Sequence, residues 1–240
     1  MVSRDSLKTA GGGLALGASL AALGYAGLIA YHRARYGKDV VELNDDSLLL
    51  DRFIPSPEVV EHHRVRISAP ADVVMSTARS LELLHSRMIR AIFKVRELAL
   101  GGHPDERRHP SALLPQMQSI GWVILAERAG REVVLGAVTR PWDAAPTFRP
   151  VPAAEFAEFR EPGYVKIAWT LRADPISDTE SMFHTETRVA STDVESRKRF
   201  RRYWSYVAPG VELIRLAMLA PLKKAAEHSP SAKAAHAHGH

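Results

Sequence analysis

The rhythm of apolar and polar positions changes several times along this chain. Residues 11–31, GGGLALGASLAALGYAGLIAY, carry no charge. At about 1.5 Å per helical residue the run reaches roughly 30 Å, the thickness of a bilayer's hydrocarbon core. It reads as a transmembrane anchor. A cleaved signal peptide and a buried soluble helix are the competing readings; the run is long for a signal, and no convincing small-x-small site precedes His32. Residues 1–10 are a short flank, and residues 32–58, mixing acids, a brief apolar patch and two prolines, read as a linker.

Beyond the linker the period falls to two. Val65 and Ile67 alternate with Arg64 and Arg66, which predicts a half-buried strand. Pro70 then suits the first turn of a helix, with Asp72 where the dipole favours an anion. Val73, Val74, Thr77, Ala78 and Leu81 supply its apolar stripe. A second helix is predicted over 83–100, stopped by Gly101 and Gly102. The Pro-rich stretch over 103–116 has no period and reads as a loop. From Gly121 short apolar runs return as strands, with Ala129-Gly130 as a hairpin turn and a short helix near 152–161. YVKIAWTLRA and SMFHTETRVA are two further strands. Thr192 and Glu195 match a capping box that starts a last helix, expected to run to about Glu227 and to bend at Pro209-Gly210. Residues 228–240 are low in complexity and are expected to be disordered.

Strand, helix pair, a run of strands and a long closing helix predict an α+β domain over 59–227, an antiparallel sheet with its helices on one face. The composition agrees: 46% of residues are hydrophobic and 25% charged, which is ordinary for a globular protein. There is no cysteine, so disulfides, thiolate nucleophiles and cysteine-ligated metals are excluded. The net charge of +5 and pI near 9.6 suit an anionic surface without proving one. Arg4 and Lys8 precede the uncharged run and Arg33, Arg35 and Lys38 follow it, so the positive-inside rule places the main domain of a single-pass protein in the cytoplasm. Gly13, Gly17 and Ala21 lie four apart, a small-residue face on which two anchors would dimerise, unless the spacing is chance.

The last helix opens with five basic residues in six positions. Phe200, Trp204, Val207, Val211, Ile214 and Met218 recur at steps of three or four and form a buried stripe. Arg197, Lys198, Arg201 and Arg202 cover the remaining surface. They read as a solvated face or as a contact for anionic lipid. No helix-turn-helix, zinc finger or RNA-binding motif accompanies them, so no nucleic acid is expected. There is also no HExxH, no phosphate loop and no GxSxG, and neither a metal nor a cofactor is expected.

The segments VRISAPADVVMSTARSL, EPGYVKIAW and TETRVASTDVESRKRFRRYW resemble uncharacterised bacterial members of the SRPBCC superfamily, the START-like or helix-grip proteins. The resemblance spans about residues 59–226 and rests on the order of elements more than on the Ala-Pro-x-x-Val motif. It implies a curved antiparallel sheet gripping the C-terminal helix, with an apolar cavity between them. Members bind lipids, sterols or polyketides, and some are cyclases or hydratases. The proline-rich, charged stretch over 103–117 departs from the pattern and leaves the cavity entrance undefined.

On that basis the expected function is binding of an apolar or amphipathic small molecule by a membrane-tethered domain. By the period of two, Phe183, Thr185, Thr187 and Val189 share a face, as do Val165, Ile167, Trp169 and Leu171. The expected ligand-binding lining is Trp122, Leu135, Trp169, Phe183, Thr185 and Thr187. His184, Glu186 and Arg188, with Lys166, Thr170 and Arg172, take the other face. There Glu186 would pair with Lys166 or Arg172 in the open. If the sheet is turned over, Glu186 and His184 become a buried acid/base pair, the catalytic groups of a cyclase or hydratase. A closed-core scaffold held at the membrane is the third reading.

Overall fold

A computed structural model describes residues 48–82 and 110–238, together with Gly24 and Gly27. The rest of the expected anchor, the Gly13/Gly17/Ala21 face, the helix over 83–100 and the first half of the loop over 103–116 lie outside the described residues. The elements are α1 (Leu48–Asp51), β1 (Val59–Ile67), α2 (Ala71–Ser80), α3 (Leu113–Ser119), β2 (Val123–Arg128), β3 (Glu132–Thr139), β4 (Phe148–Arg149), α4 (Ala153–Phe156), β5 (Val165–Ser177), β6 (Glu180–Ser191), α5 (Val194–Glu227) and α6 (Pro230–His238). The fold is α+β: one six-stranded sheet in the order β1-β6-β5-β3-β2, with β4 on β3, every pairing antiparallel.

Turn chemistry sets the register. Gly130, at φ +65°, closes the β2–β3 hairpin, where the Arg131 amide donates to the Arg128 carbonyl at 2.9 Å. Gly121, at φ +107°, feeds β2; a Cβ there would stand 2.3 Å from the Phe148 carbonyl oxygen. Two residues separate β5 from β6, so the two longest strands, of 13 and 12 residues, form one hairpin.

Both faces of the sheet are covered. On the inner face, α2 and the C-terminal half of α5 pack against Leu135, Trp169, Leu171 and Phe183 through Val74, Met75, Ala78, Met218 and Leu222. The first turns of α5 bring Phe200, Trp204 and Ala208 against Val59, Val165 and Val189. On the outer face a second core gathers Leu50, Phe53, Ile54 and Phe156 over Leu125, Val134, Val138 and Ala168. Helices confined to one face are therefore corrected. Residues 48–54, expected as linker, belong to the packed domain because their apolar side chains cover the outer face.

Four local expectations also change. The N-cap of α5 is Asp193, whose side chain accepts from the Ser196 amide at 2.9 Å. Thr192 instead donates its hydroxyl to the Tyr164 carbonyl at 2.9 Å. The expected loop includes α3, because Leu113 and Leu114 bury into the inner core. Residues 230–238 are helical: Ser229 Oγ accepts from the Ala232 amide at 3.1 Å, Pro230 suits a first turn, and Ala232 is buried. In α5 itself Val207, Val211 and Ile214 are half-buried, while Ser205, Ala208, Pro209 and Gly210 are buried.

Candidate ligand site between the sheet and the long helix

The strand register assembles a row of unlike groups on the inner face. Leu135 lies opposite Trp169, Trp169 opposite Thr187, and Thr187 opposite Glu61. One step along, Val133, Leu171, Thr185 and His63 form the next row. Trp169 Nε1 donates to Thr185 Oγ1 at 2.7 Å, which fixes the indole. From α5, the Arg215 guanidinium lies 4.1 Å from the Trp169 ring centroid and donates to Thr187 Oγ1 at 3.0 Å. Burial lowers the Arg215 pKa to about 10, and the charge of Glu61 opposes that shift. Arg215 therefore remains a cation at neutral pH. Glu61 is buried and its carboxylate stands 3.9 Å from His63 Nε2.

Trp122 completes the aromatic part. It is 7% exposed, and its ring meets Trp169 edge-on at 6.3 Å and Phe148 at 5.7 Å. Its Nε1 is buried and has no hydrogen-bond acceptor among the described residues. An indole N–H hidden from water normally finds a partner, since leaving it unmade costs about 1–3 kcal/mol.

All six residues expected to line a cavity are buried: Trp122, Leu135, Trp169 and Phe183 share one core, Thr185 accepts from Trp169, and Thr187 accepts from Arg215. Glu186 and His184 are not among them. They project from the opposite face of β6, and neither reaches the helix side. That face is not wet either, so the expected open pairing of Glu186 with Lys166 or Arg172 is corrected too. Glu186 accepts from Arg188 Nε at 2.6 Å; Arg188 Nη1 binds Asp51 of α1 and the Ile54 carbonyl, the latter at 3.2 Å. Residues 51–54 thus seal what alternation alone marks as solvent. His184 stacks on His62 with Nδ1 3.2 Å from its Nε2, and its own Nε2 lies 3.4 Å from Asp174.

Glu61, His63 and Arg215 are the groups that sequence reasoning missed. The signal was present. Carrying the Ile67–Val65 phase back two steps reaches His63 and Glu61, and Arg215 interrupts the stripe between Val211 and Met218 at steps of four and three. Of the basic face, Lys198 and Arg202 are exposed, Arg201 is half-buried, and Arg197 Nε donates to Glu58 at 3.0 Å. Among the described residues no cluster of His, Asp or Glu could hold a metal.

No family model matches the chain, and no curated protein matches it. Among solved structures it is similar to the crystal structure of the Zhui aromatase/cyclase from Streptomyces sp. R1128. That match has 12% identity and a TM-score of 0.25, and it covers 70% of this chain and 93% of that one. A match so distant leaves the site to stand on its own geometry.

Proposed function

We propose that this protein binds an apolar or amphipathic small molecule, lipid- or polyketide-like, between the inner face of the sheet and α5, in the manner of a helix-grip domain. The observation that carries this reading is the buried Nε1 of Trp122, which has no acceptor among the described residues, beside the Trp169–Arg215 stack. The indoles and Phe183 offer apolar walls. Trp122 Nε1, Thr185, Thr187 and Arg215 offer a few oriented polar groups, the usual division of labour in a small-molecule site. Tethering through residues 11–31 would keep such a ligand near its membrane source, and Lys198 and Arg202 would meet anionic headgroups.

Native mass spectrometry of the protein purified from its own cells tests this. A co-purified small molecule is the expected result, with Trp169→Ala and Arg215→Ala each reducing its occupancy several-fold while the sheet remains folded by circular dichroism. Absence of any adduct, or occupancy indifferent to both substitutions, would sink the reading.

A second reading, an acid/base reaction of the cyclase or hydratase type in the same place, rests on Glu61 and His63. They stand on the inner face 3.9 Å apart, where Glu186 and His184 do not reach. Glu61→Gln would then retain the adduct while blocking its conversion.

A further inference from the structure

We propose a second site, on the outer face of the sheet, that binds a small anion at Lys166. Lys166 stands mid-sheet between Val138 of β3 and Ala190 of β6, and is 6% exposed. Its ammonium donates to the Phe156 carbonyl at 3.2 Å and the Ala157 carbonyl at 2.7 Å, and lies 5.6 Å from the Phe156 ring centroid. An ammonium has three N–H donors, so two are satisfied here. Among the described residues no carboxylate comes within ion-pair distance of it. A buried cation with no counter-ion is costly, and proteins normally pair such groups.

A cavity of about 280 Å³ opens beside this group, walled by residues 52–56, 157–160 and 190–192. Three cations, Arg52, Arg160 and Lys166, line it against one carboxylate, Glu158. Arg160 Nη1 donates to the carbonyls of Ala157 and Phe159, and its Nη2 stays 3.9 Å from Glu158. Phe53, Ile54 and Phe159 give the cavity an apolar wall. The electrostatic setting suits an anion. Burial lowers the Lys166 pKa to about 8, Arg160 adds to the shift, and Glu158 opposes it. The volume falls just below the roughly 300–1,000 Å³ of ligand pockets, which limits the guest to a small organic acid or phosphate. The sheet separates this cavity from the Trp122–Trp169 site, so the two proposals stand independently.

The test is acetylation of Lys166 in the full chain by acetic anhydride, read by peptide mass spectrometry from about pH 6 to 10. Without added anion the labelling should be half-maximal near pH 8. Saturating inorganic phosphate or hexanoate should move that midpoint upward and slow labelling at pH 8 several-fold, because a bound anion holds the amine protonated. Protection by phosphate alone assigns a phosphorylated guest, and protection by hexanoate alone assigns a carboxylate with an apolar tail. The Arg52→Ala, Arg160→Ala double variant should lose the protection. Indifference to both probes, protection unchanged in the double variant, or a Lys166 that resists acetylation until the protein unfolds would each overturn the proposal.

Discussion

At the scale of single residues, Asp193 joins two parts of the molecule. Its carboxylate accepts from the Ser196 amide, from the Ser196 hydroxyl at 2.6 Å and from the Gly163 amide at 2.6 Å, tying the start of α5 to the turn before β5. These donors favour the charged form, first of all the Ser196 hydroxyl, and hold its pKa far below the usual carboxylate range. A depressed carboxylate stabilises the fold wherever the unfolded chain is also ionised, above about pH 4, and loses that contribution as pH falls toward its folded value. Asp193→Ala should therefore lower the urea midpoint by a constant amount from about pH 5 to 8. The gap from the parent protein should close below about pH 4. A gap that persists undiminished into acid would assign the loss to packing rather than to the cap. Gly136 is a second point of constraint: a Cβ there would lie 2.4 Å from Leu125 Cδ1 and 2.9 Å from Phe156 Cε2, so α4 can approach β3 only over glycine.

At the scale of elements, the short α1 does more than its four residues suggest. Its Asp51 and the Ile54 carbonyl complete the coordination of Arg188, a guanidinium only 1% exposed. Arg188→Ala would leave Glu186, 4% exposed, buried without its counter-charge, and should cost about 3–5 kcal/mol in chemical denaturation. The paired change Arg188→Met with Glu186→Leu removes both charges and should recover much of that loss. Asp51→Ala should cost far less, since water reaches Asp51. If the single and double variants were equally unstable, the ion pair would not be the source.

This pairing also marks how far the sequence was legible. A period of two placed Trp169, Phe183, Thr185 and Thr187 on one face correctly, because that pattern is local. It also sent Glu186, Arg188, Lys166 and Thr170 to solvent, since each is polar. Whether such groups are exposed depends on what covers them. The cover for Arg188 comes from Asp51, 137 residues away, which no window on the sequence connects to β6. The same limit hid the site at Lys166. Glu61, His63 and Arg215 were legible from phase alone, but a charged residue on an apolar phase was easily passed over.

At the scale of the whole molecule, the proposed attachment to a bilayer has two candidate segments. α5 is long and apolar enough to cross a membrane by length and composition, and a third of its most apolar window is buried within the fold. Its stripe packs on β1, β5 and β6, so the reading favoured here leaves the tether to residues 11–31. The full chain should then remain in the membrane pellet through a carbonate wash, and deletion of residues 1–31 should release it as a folded protein. A truncated chain that still pellets would return the tether to α5. The net charge of +5 gives a salt-sensitive contribution at an anionic surface, which the wash would separate from insertion.

The pairing of β1 with β6 joins strands made far apart in the course of synthesis: Ile67 meets Ser181, and Val59 meets Val189. A nascent chain emerging from the ribosome holds its first strand without a neighbour until nearly all of the domain has been translated. Folding of such a topology is slow to begin, because its closing contacts span so much chain. Premature termination anywhere before β6 would release a fragment with an orphan edge, the form most prone to aggregate and the one quality control must remove.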